Sequence, residues 1–403
     1  MRTVTVRDYR GADALLRRND LRQAHYDEAA ILMKDVLVNL HGAEHRTRRL
    51  VENKVFRRDF FRFYEREVFP RTLAETIGPY AAAGGCDLVD LGYAIMLNLT
   101  ADFSGIDRPL RTAEETATLL RLLRSFGKAP TLGSTSLDKE PIRREIREAL
   151  EEFDRDFYRP SAARRLRLLE EVAAGTRSEE DLPRDVLTVL LQSPETAATP
   201  EDVLMKEMAF FLLAGAFTSI HSMTHAMHEL FDWLERHPAD ADRLRSDRLF
   251  VQRCAHESIR LHPSSPVARR RATAPATTLP NGETVDPEDI VVIDLLAANK
   301  DTAVYGPDAA SFDPTREATS PPYGLSFGIG MHACIGRQLA AGVLSDPATD
   351  PADHQYGTIA LILFALLQAD ARPDPANPPE MDVKSGRPNW ARYPVVFGEG
   401  RPA

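Results

Sequence analysis

The sequence predicts a mainly α-helical protein with a small β region. Apolar residues recur at every third and fourth position in two long segments, residues 201–236 and 246–261, whose interiors are nearly free of Gly and Pro. Strand-like runs are scarce and occur late in the chain, and the clearest, residues 288–296 (EDIVVIDLL), follows the turn segment PNGETVDP. The composition, with 43% hydrophobic and 27% charged residues, is that of a folded globular chain.

The remaining segments fit this fold class. Residues 143–174 have the periodicity of an amphipathic helix broken near Pro160, with opposite charges spaced to support an exposed face. Polar, Pro-rich stretches at residues 345–355 and 370–379 predict surface loops. Because the sequence contains no internal repeat and no clear flexible linker, we expect one domain spanning residues 1–403.

The overall charge excludes some partners. A net charge of −10 offers no global attraction for nucleic acid or an anionic membrane, because both reward basic surfaces. The first residues, MRTVTVRDYRGADALL, lack the charged-then-apolar order of a secretory signal, and no run approaches the roughly 20 apolar residues that span a bilayer. We therefore expect a soluble, cytoplasmic protein that binds neither nucleic acid nor membrane.

Only one of the three cysteines stands in an unusual context. Cys86 and Cys254 are interpreted as small buried apolar residues, and three cysteines imply no disulfide framework. Cys334 lies in residues 327–336, FGIGMHACIG, among three glycines and before the helix-like GRQLAAGVL. Glycines let the backbone approach a flat ligand, and amides at a helix start lower a thiol pKa. The spacing alone leaves two alternatives, a metal-binding thiolate and a structural cysteine in a glycine turn.

The same ten residues closely resemble the haem-binding loop of the cytochrome P-450 family. Phe327, Gly330, His332, Cys334 and Gly336 match every defining position of the family pattern. The resemblance implies a cytochrome P-450 fold and haem b (iron protoporphyrin IX) as cofactor. It also implies that Cys334 is the axial iron ligand and that His332 reaches a haem propionate.

Other segments agree with this resemblance in order and spacing. Glu257 and Arg260 match the family's Glu-x-x-Arg helix, and residues 312–316 (FDPTR) match the segment that completes its Glu-Arg-Arg network. Residues 298–301 (ANKD) resemble the family's Ala-Asn-Arg-Asp turn. Alone, a Glu and an Arg three residues apart usually form a surface ion pair worth little.

A basic pair upstream has two interpretations. His45 and Arg49 lie one helical turn apart, so they form either a solvated basic face or a site for an anion. By resemblance the pair binds the haem propionates. Arg270 matches a further propionate-binding arginine, with Arg269 and Arg271 as alternatives in register.

The apolar segment of residues 212–219, LLAGAFTS, departs from the family at one position. Gly215 followed by Thr218 is compatible with core packing or with a locally opened helix that makes room for a small ligand. By resemblance Ala214, Gly215 and Thr218 lie over the oxygen-binding face of the haem. The position of the family's acid is Phe217, so the carboxylate that helps to relay protons is missing.

Three histidines follow on one helical stripe. His221, His225 and His228 have a spacing that is compatible with a metal site. The sequence lacks a His-Glu-x-x-His motif, and the stripe lies beyond the expected haem contact. We therefore expect no second metal.

The resemblance implies an oxidoreductase that inserts one atom of O2 into a small or medium-sized organic substrate, with electrons from a separate ferredoxin and ferredoxin reductase. Thr218, Gly215 and Phe217 form the expected catalytic group, and Leu213, Phe217, Ser265 and Val267 the expected substrate pocket. Because of Phe217, a peroxide-using or otherwise atypical haem-thiolate oxidase is an alternative. A non-catalytic haem protein that binds a gas or other ligand is a further one.

Two features of the sequence depart from the family pattern, one near the start and one near the end of the matching region. His45 comes early in the chain, which predicts a fold shortened at its N-terminus. The helix after Cys334 is interrupted by residues 345–355 (SDPATDPADHQ) before residues 356–367 resume it. We expect this insertion to alter the proximal surface, where an electron donor docks.

Overall fold

The structure is a computed structural model that describes residues 2–110, 112–317 and 321–398. Helices dominate the described residues, and the strands are short. The α-helices are, in chain order, α1 (Tyr9–Leu16), α2 (Ala30–Met33), α3 (Gly42–Glu52), α4 (Arg58–Phe63), α5 (Phe69–Ala82), α6 (Leu88–Ser104), α7 (Ala113–Phe126), α8 (Lys139–Phe153), α9 (Arg159–Ala173), α10 (Val186–Gln192), α11 (Glu201–Arg236), α12 (Ala241–Ser246), α13 (Arg248–Leu261), α14 (Leu295–Ala298), α15 (Thr302–Tyr305), α16 (Arg337–Ala341) and α17 (Thr358–Gln368). The strands are β1 (Thr3–Val6), β2 (Leu21–Gln23), β3 (Gly85–Asp87), β4 (Val267–Ala272), β5 (Thr277–Thr278), β6 (Thr284–Val285), β7 (Ile290–Asp294), β8 (Ala371–Pro373), β9 (Glu380–Met381), β10 (Trp390–Arg392) and β11 (Pro394–Phe397).

The central element is α11, whose 36 residues agree with the predicted helix of residues 201–236. It is long and apolar enough to cross a membrane, but 72% of its most apolar window is buried inside the protein. Such burial is expected of a core helix, because a helix that is apolar on all sides needs protein on all sides. The helices α6, α13 and α17 pack against it.

A tight crossing of α6 and α11 accounts for a glycine on each helix. A Cβ atom on Gly92 would lie 3.0 Å from Met223 Cε, and one on Gly215 would lie 2.7 Å from Thr100 Cγ2. The helix α11 stays continuous through Gly215. Of the two alternatives for Gly215, core packing is therefore confirmed, since the glycine lets a neighbouring helix approach.

The small β region includes a four-stranded sheet in the order β1-β7-β4-β2. Its central strand β7 confirms the strand predicted within residues 288–296, while β1 and β2 at the N-terminus contradict the expectation that strands are confined to the later part of the chain. Strands of three or four residues carry little periodicity of their own. They are extended because β1 pairs in parallel with β7 and β2 pairs antiparallel with β4.

Two helix boundaries differ from those predicted. Pro160 does not break the helix of residues 143–174, because it lies in the first turn of α9, where a missing N–H costs nothing, and the π-helical turn Asp154–Tyr158 joins α8 to α9. The helix predicted at residues 246–261 begins at Arg248, because the Asp247 carboxylate caps it by accepting the Phe250 N–H at 3.0 Å.

The predicted interruption after Cys334 is confirmed by a segment between α16 and α17, residues 342–357, which we call the strap. Its two ends are Gly342 and Gly357, with φ values of 72° and 86°. The Glu65 carboxylate accepts the Gly357 N–H at 3.0 Å, and Arg66 bonds to Asp353 at 2.8 Å. The strap is thus fastened to the turn between α4 and α5.

Candidate functional site

Glycines shape the loop that carries Cys334. Gly328 and Gly330 have φ values of 61° and 73°, a region that disfavours other residues. A Cβ atom on Gly330 would lie 2.8 Å from the Leu16 carbonyl oxygen. The Cys334 N–H donates to the Phe327 carbonyl at 2.8 Å and closes the loop. Both the turn and the close approach to α1 therefore require glycine at position 330.

Solvent reaches Cys334 although protein atoms lie close around its thiol. Its residue is exposed to solvent, yet burial by nearby protein raises its pKa, while the Gly336 N–H, Arg49 and Arg337 act to lower it. The loss of hydration outweighs these three groups, so the amides at the helix start do not lower the thiol pKa overall.

The other two cysteines differ from each other. Cys254 is buried, as expected, and burial raises its thiol pKa. Cys86 is only half-buried in β3, where burial and Asp87 raise its pKa to about 12. Both are therefore protonated at neutral pH.

His332 stands in a basic cluster. Both of its ring nitrogens are buried without a hydrogen-bond partner. Its ring centroid lies 4.7 Å from that of His45 and 5.9 Å from that of His41. Burial, followed by the charges of Arg270, His45, His41 and Arg49, lowers the His332 pKa to about 3. The cluster offers donors and positive charge, so it suits an anion such as the carboxylates of a porphyrin.

Three consecutive arginines on strand β4 have different surroundings. Arg270 is 5% exposed and lies near enough to lower the His332 pKa. Arg269 Nη1 donates to the Gly133 carbonyl at 3.4 Å, and Arg271 lies 3.5 Å from Asp27. Because side chains alternate along a strand, Arg270 points away from the other two.

The helix α3 connects the cysteine loop to α11. Arg49 Nη2 donates to the Ala333 carbonyl at 2.8 Å, and Arg48 Nη1 donates to Glu207 Oε2 at 2.7 Å. Next to this pair Glu52 is fully buried with both carboxyl oxygens unpartnered. Sequence reasoning missed this cluster, for which the only signal was a charged residue, Glu207, within an apolar helix.

One stripe of α11 is accessible. Ala214, Gly215 and Thr218 are half-buried, whereas Ala216 and Phe217 between them are buried. The Thr218 hydroxyl donates to the Ala214 carbonyl at 2.7 Å, so its oxygen remains free to accept a hydrogen bond. An accessible stripe on an otherwise buried helix indicates space beside it.

The expected pocket residues have different surroundings. Phe217 is 8% exposed and packs edge-on against His221, with ring centroids 4.5 Å apart. Leu213, one turn before it, is buried in the main core. Ser265 and Val267 are half-buried where β4 begins.

Sequence reasoning also missed a polar group beside Phe217. Ser264 Oγ donates to the Thr218 carbonyl and lies 3.1 Å from Ser222 Oγ. Arg387, from the turn between β9 and β10, donates to the Ser264 carbonyl at 3.0 Å. No local pattern links Arg387 to these residues, because they come from distant parts of the chain.

The histidine stripe has separate partners. His225 Nε2 lies 2.7 Å from the Pro388 carbonyl, and its ring stacks on His262 with centroids 4.4 Å apart. His228 Nδ1 lies 3.1 Å from the Tyr393 hydroxyl. In the part of the chain that the structure describes, no group of three His, Cys, Asp or Glu residues is arranged to hold a metal.

The ion-pair network implied by the resemblance is formed. Arg260 Nη2 and Nε donate to the two oxygens of Glu257 at 2.6 and 2.7 Å, and Arg316 Nε donates to the same carboxylate at 3.2 Å. The Asn299 side chain accepts the Leu325 N–H at 2.8 Å and donates to the Arg260 carbonyl. This network anchors the segment that leads into the cysteine loop.

Two hollows lie away from these residues. One of about 610 Å³ lies between the strap, α5 and α17, and one of about 330 Å³ lies beside Tyr64 and Arg165. Neither is lined by the cysteine loop or by the accessible stripe of α11. The candidate site is therefore assigned from the chemistry of the residues around Cys334 and not from either hollow.

Comparison with known proteins gives a consistent result. The family model described as "Cytochrome P450" matches residues 136–344. Cyclooctat-9-en-7-ol 5-monooxygenase of Streptomyces melanosporofaciens is 28% identical over 78% of this chain and 71% of its own length. Cyclomarin C epoxidase CymV of Salinispora arenicola is 27% identical over 66% of this chain and 60% of its own length.

Solved structures show the same fold. The crystal structure of CalO2 superposes with a TM-score of 0.74 at 21% identity, over 98% of this chain and 91% of that one. The chain spans less than two thirds of the curated relatives that match most significantly, with alignments over 18%, 60% and 39% of their lengths.

Proposed function

Because the chain belongs to the cytochrome P450 family, we propose that it is a haem-thiolate monooxygenase. We propose that residues 1–403 act as a single haem domain. The enzyme inserts one atom of O2 into a small or medium-sized organic substrate. Named relatives include a monooxygenase and an epoxidase, and their names support this class of reaction.

The observation that supports the proposal is the exposed Cys334 beside a basic cluster in which neither ring nitrogen of His332 has a hydrogen-bond partner among the described residues. Members of the family bind haem b, which supplies O2 activation when it is bound. In this chain Cys334 Sγ would hold the haem iron, and His45, Arg49, Arg270 and His332 would donate to the two propionates. The unpartnered ring nitrogens of His332 fit this role, since a carboxylate satisfies a buried donor that otherwise has no partner.

The backbone and small side chains allow a flat group to fit. Gly330 and Gly336 place no side chains where such a group would bind, and the Phe327 carbonyl accepts the Cys334 N–H that closes the loop. Ala214 and Gly215 have no bulky side chains, so they leave space for the same group beside α11.

Proton delivery is the step that this sequence changes. We assign Thr218 as a hydrogen-bond acceptor for the reacting group, since its own hydroxyl hydrogen is held by the Ala214 carbonyl. Phe217 supplies no proton, so protons come through water or a substrate group. Leu213, Phe217, Ser265 and Val267 line the substrate pocket in this proposal.

Two electrons come from separate proteins, a ferredoxin and its reductase. A relative in Phanerodontia chrysosporium is named as a self-sufficient enzyme, and this chain matches 18% of its length. The enzyme is soluble and cytoplasmic, and the burial of α11 inside the protein supports this location. It requires neither nucleic acid nor membrane.

The test is the absorption spectrum of the reduced protein with carbon monoxide. Thiolate ligation gives a Soret band well to the red of that from histidine ligation, and Cys334→Ser removes this band. Cys86→Ser, which changes a cysteine in β3, retains it and serves as the control. A Cys334→Ser protein with the parent spectrum contradicts the proposal.

The buried Phe217 favours a second candidate, an enzyme that uses peroxide in place of O2 and electrons. Product formation with hydrogen peroxide, compared with reductase and O2, separates the two. Reversible ligand binding without product under either supply indicates a non-catalytic haem protein.

A further inference from the structure

Arg387 places a positive charge next to the expected oxygen-binding face. It is 5% exposed, and its guanidinium carbon lies 5.7 Å from the centroid of the Phe217 ring. It donates to the Ser264 carbonyl, and Ser264 donates in turn to the Thr218 carbonyl at 3.1 Å. Two hydrogen bonds therefore separate this guanidinium from the threonine that we assign to the reaction.

The bonds of Arg387 do not balance its charge. Its Nη2 donates to the Pro130 carbonyl at 2.8 Å and lies 3.3 Å from His25 Nε2. Burial and the charges of Arg387, Arg269 and Arg270 lower the His25 pKa to about 3, so the imidazole is neutral. Neutral acceptors orient a guanidinium, but the cost of removing its charge from water remains.

The other buried arginines show how this protein normally balances such a charge. Within the described ranges, five arginines are buried: Arg48, Arg165, Arg260, Arg270 and Arg387. Three of them contact a carboxylate at 2.6 to 2.7 Å: Arg48, Arg165 and Arg260.

The two exceptions are Arg270 and Arg387, for which the described residues provide no carboxylate. For Arg270 the proposed function supplies a propionate. By the same reasoning, the anion that balances the charge of Arg387 belongs to a bound molecule and not to the protein.

A second guanidinium strengthens this conclusion. The charge of Arg269 acts on Arg387, and Arg269 itself is half-buried with a single long bond of 3.4 Å to the Gly133 carbonyl. Holding two like charges close together is unfavourable unless an anion lies between them. The pair thus forms a concentrated positive site in a protein whose net charge is −10.

We propose that the substrate carries a carboxylate group and that Arg387 and Arg269 bind it. This inference rests on the proposed function, because it concerns the pocket of the same enzyme. A guanidinium matches a carboxylate in both charge and planar geometry, and the surroundings are dry enough to make the contact strong. The carboxylate holds the rest of the substrate beside Phe217 and Thr218.

A purely structural role for Arg387 is the competing explanation. Its bonds connect the turn between β9 and β10 to Ser264 and to Pro130, which begins the segment of residues 130–135. That connection has other bonds, however, since Ser134 Oγ donates to the Ser385 carbonyl at 2.6 Å and Thr135 Oγ1 to the Lys384 carbonyl at 3.0 Å. A charged side chain is not needed to hold the turn in place.

The experiment measures binding by calorimetry on the haem-loaded protein. The probes are decanoate and 3-phenylpropanoate, each compared with its methyl ester, together with decyl phosphate. In the wild type we expect at least one acid to bind about tenfold more tightly than its ester. Arg387→Gln and Arg269→Gln each reduce this ratio, the former to about one, while Arg387→Lys retains part of it.

A matched control is Arg271→Gln on the same strand, because Arg271 already lies beside Asp27. It leaves the ratio unchanged. If Arg387→Gln does not fold, Arg269→Gln decides the question, since it removes only one long hydrogen bond.

The proposal is overturned if neither acid binds better than its ester, or if Arg387→Gln keeps the preference and loses only thermal stability. Tighter binding of decyl phosphate than decanoate overturns the assignment to a carboxylate. Binding is measured without turnover and therefore tests only the carboxylate proposal. A protein that binds acids more tightly than esters but forms no product contradicts the monooxygenase proposal and leaves the carboxylate proposal standing.

Discussion

Gly215 of α11 lies directly against Thr100 of α6, so that a Cβ atom on the glycine would be 2.7 Å from Thr100 Cγ2. Carbon atoms do not approach so closely without displacement, and both helices belong to the buried core. The Thr100 hydroxyl is satisfied within its own helix by the Met96 carbonyl at 2.8 Å. The contact is therefore a steric one, made by the Thr100 methyl group.

Gly215→Ala is expected to lower the free energy of unfolding by about 1–3 kcal/mol, as overpacking does. Gly215→Ala with Thr100→Ser recovers most of this loss, because serine keeps the hydroxyl and lacks Cγ2. Urea unfolding of the two single variants and the double variant measures the coupling. The control is Gly78→Ala within α5, where nothing lies within 4 Å and a gain of about 0.5–1 kcal/mol is expected. Additive effects at positions 100 and 215 would contradict this account.

Glu257→Gln is expected to cost about 3–5 kcal/mol, because it leaves the guanidinium of Arg260, which is fully buried, without a counter-charge. Glu140→Gln is the matched control. Its carboxylate pairs with Arg143 at the surface with the same spacing of three residues, and its loss changes stability by no more than about 0.5 kcal/mol. Chemical denaturation of both variants tests the difference, and equal small effects would show that the buried network is dispensable.

Glu52→Gln is expected to remove a pH-dependent cost. Burial and the charge of Glu207 raise the Glu52 pKa well above 4.5, and burial raises that of Glu207 to about 7. Above about pH 4.5 the unfolded chain has released protons that the folded state still holds on these two carboxyl groups. The free energy of unfolding therefore falls as the pH rises through their folded pKa values. Relative to the wild type, the variant gains at least about 1 kcal/mol between about pH 5 and pH 8.

Urea unfolding at these two pH values measures the gain. The control is the exposed Glu44→Gln on the same helix, which leaves the pH dependence unchanged. A parallel pH profile for Glu52→Gln and the wild type would be inconsistent with a protonated carboxyl at this position.

Phe217→Asp is expected to change the fraction of electrons that end in product. The new carboxylate is placed beneath the Arg387 guanidinium, which lies 5.7 Å from the present ring, so it competes with a substrate carboxylate as well as offering a proton route. Product formed per electron pair and decanoate affinity measure the two effects. Phe217→Asn, which adds a polar group without charge, is the control. Unchanged coupling and product would exclude a relay role for this position.

Much of the candidate site could be predicted from the local sequence. The glycines around Cys334 are visible as a pattern because each is needed for a local turn or a close backbone approach, as at Gly330. The Glu257–Arg260 pair is also local, being one helical turn apart. Its third member, Arg316, was identified only through the resemblance, since the contact joins segments far apart in the chain.

Local signals alone did not decide the outcomes that depend on surroundings. Amides near Cys334 act to lower its thiol pKa, but burial by nearby protein outweighs them and raises it. Gly215 was compatible with core packing or with an opened helix, and its contact with Thr100 decides in favour of packing. Pro160 was expected to break a helix, which is wrong, because it lies in the first turn of α9 after a π-helical turn. The thiol and the glycine thus depend on tertiary surroundings, whereas the proline depends on local helix geometry.

The sequence by itself determined the helical class, the long central helix and the thiolate-bearing loop, because periodicity and glycine turns are encoded by neighbouring residues. Only the tertiary structure decided which charges are balanced. Arg48 and Arg387 look alike in the sequence, yet folding places a carboxylate 2.7 Å from Arg48 and none beside Arg387 among the described residues. Charge compensation depends on which distant segments share a dry interior, and the chain specifies this only when it is folded.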